Sequence, residues 1–204
     1  MTTKKIYTDI HRFSAKETPT EISYDKNSVF LGDLWDVHCL HKDSLAMKYA
    51  SDKHRHKCDM TTGVINVRGN HEGLYGFGMV EYVIEDGVMY CHSHTAFYSP
   101  KQKAKWYAKD AGISRWKFYG IKVTNLFRNM KGNKVSEKKL QIIAKYAIAI
   151  GKIENESIYT IVVGHLHKEH DGMVGVMIED KQGNFDFYQI RVIVANCGLT
   201  EINV

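Results

Sequence analysis

Along this chain short apolar runs alternate with polar, glycine-punctuated breaks. Lys4–Thr8 (KKIYT), Asn27–Leu31 (NSVFL), Gly63–Arg68 (GVINVR), Val88–Cys91 (VMYC) and Ser157–Val163 (SIYTIVV) are brief and rich in β-branched or aromatic residues. That pattern predicts five strands. Met173–Ile178 and Phe185–Ala195 are also apolar and β-prone, and Asp180-Lys181-Gln182-Gly183-Asn184 between them supplies turn chemistry. They predict a hairpin. Asp43–Ala50 predicts a short helix and Ser51–Asp59 a polar loop. Ser136 with Lys139, followed by Leu140 and Ala144, opens an amphipathic helix running to about Ile150. Strands and helices interleaved in this way predict an α/β fold.

Composition bounds the class. At 204 residues and 23.4 kDa the chain fits one domain, 1–204. Hydrophobic residues make up 44% and charged residues 25%, with only two prolines, which excludes collagen-like, disulfide-scaffold and disordered classes. No apolar run approaches the roughly 20 residues of a membrane span, so no transmembrane segment is expected. The N-terminus MTTKKIYTDIHRF is polar and reaches a histidine too early for a signal peptide. Cys39, Cys58, Cys91 and Cys197 form no CxxC pair, so reduced thiols and a cytoplasmic location are expected.

Charge is unevenly placed. Thr95–Ser157 carries fourteen Lys or Arg against four Asp or Glu, net +10, whereas the whole chain is only +5. Trp106, Trp116, Phe118 and Tyr119 are among the aromatics interleaved with these charges. Residues 95–157 are expected to be a basic helical cap inserted between two strands. Lysines mixed with aromatics suit a polyanion, either nucleic acid or nucleotide, or a lipid pyrophosphate at a membrane surface.

The eleven histidines fall in short knots, and several sit where a strand run ends. The five runs stop at Asp9-Ile10-His11, Gly32-Asp33-Leu34-Trp35-Asp36, Gly69-Asn70-His71-Glu72, His92-Ser93-His94 and Gly164-His165-Leu166-His167. Strand ends are where α/β enzymes place their chemistry. A phosphoester repels nucleophiles through its own negative oxygens. Two divalent cations roughly 3.5–4 Å apart overcome this, and a mixed oxygen and nitrogen ligand set with a shared carboxylate would hold them. His54 and His56 lie in a Lys- and Arg-flanked polar loop and are expected to be solvated, as are His38, His41 and His170.

These five motifs, in this order, resemble the calcineurin-like metallophosphoesterases, whose pattern is DxH, GDxxD, GNH, a strand-end His and GHxH. The resemblance implies a four-layer α/β/β/α sandwich. It also implies two divalent metal ions, Mn²⁺ foremost, with Fe, Ni, Co or Zn compatible. Asp9, His11 and His167 would ligate one metal, Asn70, His92 and His165 the other, and Asp33 would bridge them. His92 is preferred to His94 because the family's ligand is the first His after the strand, which leaves His94 facing substrate with Lys101 and Lys105. His71 would protonate the leaving oxygen and Asp36 would orient it. The implied activity is hydrolysis of a phosphomonoester or phosphodiester by metal-hydroxide attack. A non-catalytic metal-binding module is the alternative from another class, and homo-oligomeric assembly is compatible with the sequence. The inserted segment is similar in layout to UDP-2,3-diacylglucosamine hydrolases, which carry Arg where this chain has His71. Val37 stands where serine/threonine phosphatases continue with Arg-Gly.

Overall fold

The computed structural model describes residues 2–12, 17–35, 52–53, 64–72, 79–97, 135–180 and 182–204. The helix expected at 43–50 lies outside these residues, as do all but two positions of the loop expected at 51–59. Asp36, Lys101, Lys105, His38, His41, His54 and His56 lie outside them too.

The described residues form an α/β fold with two sheets. Strands β1 (Thr3–Thr8), β2 (Ser28–Leu31), β3 (Ile65–Val67) and β9 (Gly198–Asn203) make one, in the order β3-β2-β1-β9. Strands β4 (Tyr82–Glu85), β5 (Val88–His92), β6 (Thr160–Gly164), β7 (His170–Glu179) and β8 (Phe185–Val194) make the other, in the order β4-β5-β6-β8-β7. Within the first sheet β1, β2 and β3 are parallel; within the second β5, β6 and β8 are parallel. A short helix α1 (His94–Phe97) follows β5, and α2 (Glu137–Glu154) carries the crossover to β6.

Every residue of β2, β5 and β6 is buried, as strands covered on both faces must be. Alternation sorts their side chains into layers. Ile6, Val29 and Leu31 point inward and meet Tyr90, Val162 and Ile193 of the second sheet, forming the inter-sheet core. Met89, Ile161, Val163 and Val192 point the other way and pack under Ile143 and Ala147 of α2. Tyr7 and Phe30 occupy the outer face of the first sheet with their rings stacked 5.1 Å apart. Helix, sheet and sheet are therefore three layers among the described residues, where the expected four-layer sandwich is seen in part. Helix α2 ends at Asn155, whose left-handed φ of 57° lets the chain turn while its N–H bonds the Gly151 carbonyl.

Among the described residues no helix is long and apolar enough to cross a membrane.

Candidate metal centre

Parallel strands bring their carboxyl ends to one edge of each sheet, and the two edges meet here. Three contacts lock the strand-end loops together. First, the turns after β2 and β3 interlock: a Cβ on Gly32 would lie 2.3 Å from the Gly69 nitrogen, and one on Gly69 would lie 2.2 Å from Asp33 Oδ1. Only two glycines allow that approach. Second, Glu72 is fully buried and its carboxylate accepts the backbone N–H groups of Asp33 at 2.9 Å and Gly69 at 2.7 Å, with Leu34 and Trp35 on its other oxygen. Third, Asp9 Oδ2 accepts the Thr8 hydroxyl and the His165 backbone N–H, both at 2.7 Å, so β1 and β6 are tied across the sandwich.

The backbone in these loops is held in a costly conformation. Among the described residues seven non-glycine positions have positive φ, and five of them are Asp9, His11, Asp33, His165 and His167. Left-handed backbone costs an L-residue roughly 1–2 kcal/mol. Such strain persists only where surrounding contacts fix it, and it concentrates at working sites.

Two carboxylate oxygens result that accept no hydrogen bond, Asp9 Oδ1 and Asp33 Oδ2, although both are buried. Imidazoles surround them instead. Asp33 Oδ2 lies 3.2 Å from His92 Nε2, 3.9 Å from His71 Nε2 and 4.0 Å from His165 Nδ1. Asp9 Oδ1 lies 3.3 Å from His167 Nε2 and 3.9 Å from His11 Nε2. Asn70 Oδ1 approaches His92 Nε2 at 3.3 Å. Among the described residues three overlapping groups could hold a metal ion: Asp9, Asp33, His92 and His165; Asp9, His11 and His167; His11, Asp33 and His71. The donor set, acceptor-only carboxylates among imidazoles, fits divalent transition cations.

The outer contacts orient the rings. His92 Nδ1 meets the Leu31 carbonyl at 2.6 Å, which places the proton there and leaves Nε2 to face Asp33. His167 is 47% exposed, and its Nδ1 meets the Cys197 thiol at 2.9 Å. The His71 backbone N–H donates to Asp33 Oδ1 at 2.8 Å, and its ring packs edge-on against His11 at 4.7 Å.

Charges here are strongly coupled. Burial alone would raise the Asp33 carboxyl, but the imidazoles of His92, His71 and His165 around it hold it well below the usual range. Burial opposes a charge on His92, yet Asp33, Asp9 and Glu72 outweigh it and lift the ring to about 9. His165 and His11 are lowered, chiefly by burial. Glu72 is pushed up to about 7 by burial and by the Asp33 charge, against the pull of its backbone donors.

Seven sequence-selected ligands thus meet at one place: Asp9, His11, Asp33, Asn70, His92, His165 and His167. His71 joins them. His94 is buried with its ring 5.2 Å from His92 and 6.5 Å from His165, and it stands outside the three groups. Sequence reasoning gave no role to Glu72 or Cys197. Glu72 was visible in Gly69-Asn70-His71-Glu72, a carboxylate beside three motif residues; Cys197 follows β8 and carried no signal.

No protein-family model matches this chain, and no curated protein does. Among solved structures it is similar to a conserved uncharacterized protein of Streptococcus pneumoniae, described as a predicted phosphoesterase. The identity is 14% over 97% of this chain and 74% of that one, with a TM-score of 0.34. A likeness that distant carries no argument about function, which rests on the site itself.

Proposed function

We propose that this chain is a dinuclear metal-dependent phosphoesterase. The observation that carries the reading is the pair of buried, unsatisfied oxygens, Asp9 Oδ1 and Asp33 Oδ2, each facing imidazole nitrogens. A buried carboxylate oxygen without a partner is costly, and a cation removes that cost. Asp9, His11 and His167 would hold one ion, Asn70, His92 and His165 the second, and Asp33 both. Two such cations, when bound, neutralise a phosphate's charge and acidify water.

The chain's own residues do the rest. Asp33 offsets the repulsion between the two cations. His71, 21% exposed beside the cluster, delivers a proton to the departing oxygen. Asp36, in the motif that begins Gly32-Asp33, orients that ring, and His94 faces substrate. The part of 95–157 ahead of α2 would act as the basic cap, with Lys101 and Lys105 drawing in a polyanion, and a nucleotide or single-stranded nucleic acid is the substrate class their charge favours.

A panel tests this: metal-loaded protein against an aryl phosphate monoester, an aryl diester, nucleotides and a single-stranded oligonucleotide. Changing Lys101, Lys103, Lys105 and Lys109 to Gln should raise KM for the oligonucleotide and flatten its salt dependence, while the aryl substrates stay unaffected. Equal effects on all substrates would remove the electrostatic role of the cap. No hydrolysis of any ester with metal present would remove the enzyme reading.

A further inference from the structure

Thr8 is the last residue of β1 and is entirely buried. Alternation along β1 points it the way Ile6 points, into the core between the two sheets. That layer is built from Ile6, Val29, Leu31, Val162 and Ile193. A valine has the shape of threonine and would fill such a position with no hydroxyl to desolvate. A buried hydroxyl costs free energy unless it is bonded, so this one calls for a physical account.

Its bonds supply one. Thr8 Oγ1 donates to Asp9 Oδ2 at 2.7 Å, and the His165 backbone N–H donates to the same oxygen at 2.7 Å. One donor comes from β1 and the other from the end of β6, so together they fix the plane of the carboxylate. With a single donor the carboxylate could pivot about that bond. Held by both, Asp9 turns Oδ1 toward His167 Nε2 at 3.3 Å and His11 Nε2 at 3.9 Å, where it accepts no hydrogen bond. The Leu31 carbonyl lies 3.4 Å from the hydroxyl and meets His92 Nδ1 at 2.6 Å. The hydroxyl has one proton, and the shorter distance and the charge of the acceptor assign it to Asp9.

Strand β6 is shaped around this hydroxyl. A Cβ on Gly164 would lie 2.0 Å from Thr8 Oγ1 and 3.1 Å from Asp9 Oδ2. Only a glycine leaves that room. The residue ahead of His165 thus makes the space in which Thr8 reaches Asp9.

We propose that Thr8 is a positioning residue for the metal centre: its hydroxyl aims Asp9 Oδ1 at the ion held with His11 and His167. The ion held by Asn70, His92 and His165 does not depend on it. This inference rests on the dinuclear reading of the site and adds which of the two ions answers to Thr8.

Equilibrium dialysis of the full chain against graded Mn²⁺, followed by elemental analysis, tests it. Wild type should fill two equivalents. Thr8→Val should fill one of them at the wild-type Mn²⁺ concentration and need about 10–100-fold more for the other, the usual worth of a contact that orients a metal ligand. Thr8→Ser keeps the hydroxyl and should bind as wild type does. Circular dichroism of the metal-free variants checks that each is folded; should valine prevent folding, Thr8→Ala carries the same expectation. A folded Thr8→Val that fills both equivalents like wild type overturns the proposal. Thr8→Ser as weak as Thr8→Val also overturns it and assigns the effect to packing, as does equal weakening of both ions. A wild type that binds two ions and hydrolyses no ester removes the enzyme reading and leaves Thr8 its role, whereas one that binds no ion overturns both.

Discussion

Glu72 sits entirely buried with its carboxylate clamped on the backbone of Asp33, whose N–H it accepts at 2.9 Å. One side chain thereby fixes the turn after β2 to the turn after β3. Four backbone donors converge on its two oxygens. Glu72→Gln keeps the shape but turns one acceptor into a donor, stranding two N–H groups. Each buried orphan costs about 1–3 kcal/mol, so the variant should lose about 2–5 kcal/mol in urea unfolding. A loss under about 0.5 kcal/mol, the level of an ordinary surface change, would show that the clamp does not hold the loops.

Asp33 and His71 should fail in different ways. Asp33→Asn removes the shared charge, so bound metal should fall from two equivalents to one or none, with the largest loss of turnover of any ligand change. His71→Ala should leave metal content near wild type and cut turnover by roughly 10²–10⁴, the usual worth of a general acid. Elemental analysis of the purified variants separates the two; loss of a metal equivalent in His71→Ala would make it a ligand.

How much of this was legible in the sequence follows from where the signal is local. The strands ending at Thr8, Leu31, Val67, His92 and Gly164 were readable because each apolar run stops at a glycine or a motif residue. Helix α2 was readable from its apolar spacing, although it extends to Glu154 rather than Ile150. Two strands were missed. β4 is a half-buried edge strand with no alternation to mark it, although Asp86-Gly87, both at positive φ, form a hairpin signal beside it. β9 has only two buried positions, Gly198 and Ile202, and its order comes from pairing with β1 nearly 200 residues away, which no local pattern encodes. The clustered motif residues were visible at the strand ends, whereas the clamp by Glu72 and the contact of Cys197 with His167 exist only after folding.

Cys197 should matter for metal binding. Burial pushes its thiol up to about 11, so it is neutral at ordinary pH. With Nε2 of His167 given to a metal ion, Nδ1 would carry the proton and donate it to the sulfur. His167 is the most exposed ring of the cluster and has little else to hold it. Outer contacts of metal-binding histidines are worth about 10–100-fold in affinity. Calorimetric titration with Mn²⁺ should show Cys197→Ala weakened to that extent and Cys197→Ser largely restored, the hydroxyl being an acceptor too. Equal affinity for Cys197→Ala and wild type would dismiss the contact as incidental.

Metal affinity and apo stability should move oppositely with pH. His92 is raised to about 9 in the metal-free fold, from an ordinary value of 6.5. Its contribution to stability is therefore full below about 6.5 and is lost as pH climbs to about 9. Ligation needs Nε2 free, so binding expels that proton, and affinity should fall about tenfold per unit as pH drops below about 9. Calorimetry at pH 6.5 and pH 9 should give a lower apo Tm and a tighter metal Kd at the higher pH. A Kd that does not change across this range would place His92 outside the metal shell.

Under the proposed function, two metal ions shared through Asp33 make this site hydrolytic. Metal-stripped protein titrated with Mn²⁺, while hydrolysis of an aryl phosphodiester is followed, measures it directly. Turnover should be absent without metal and should rise until it levels off at two equivalents per chain. Turnover that is undiminished after stripping, or absent at every Mn²⁺ concentration while the metal binds, would contradict it.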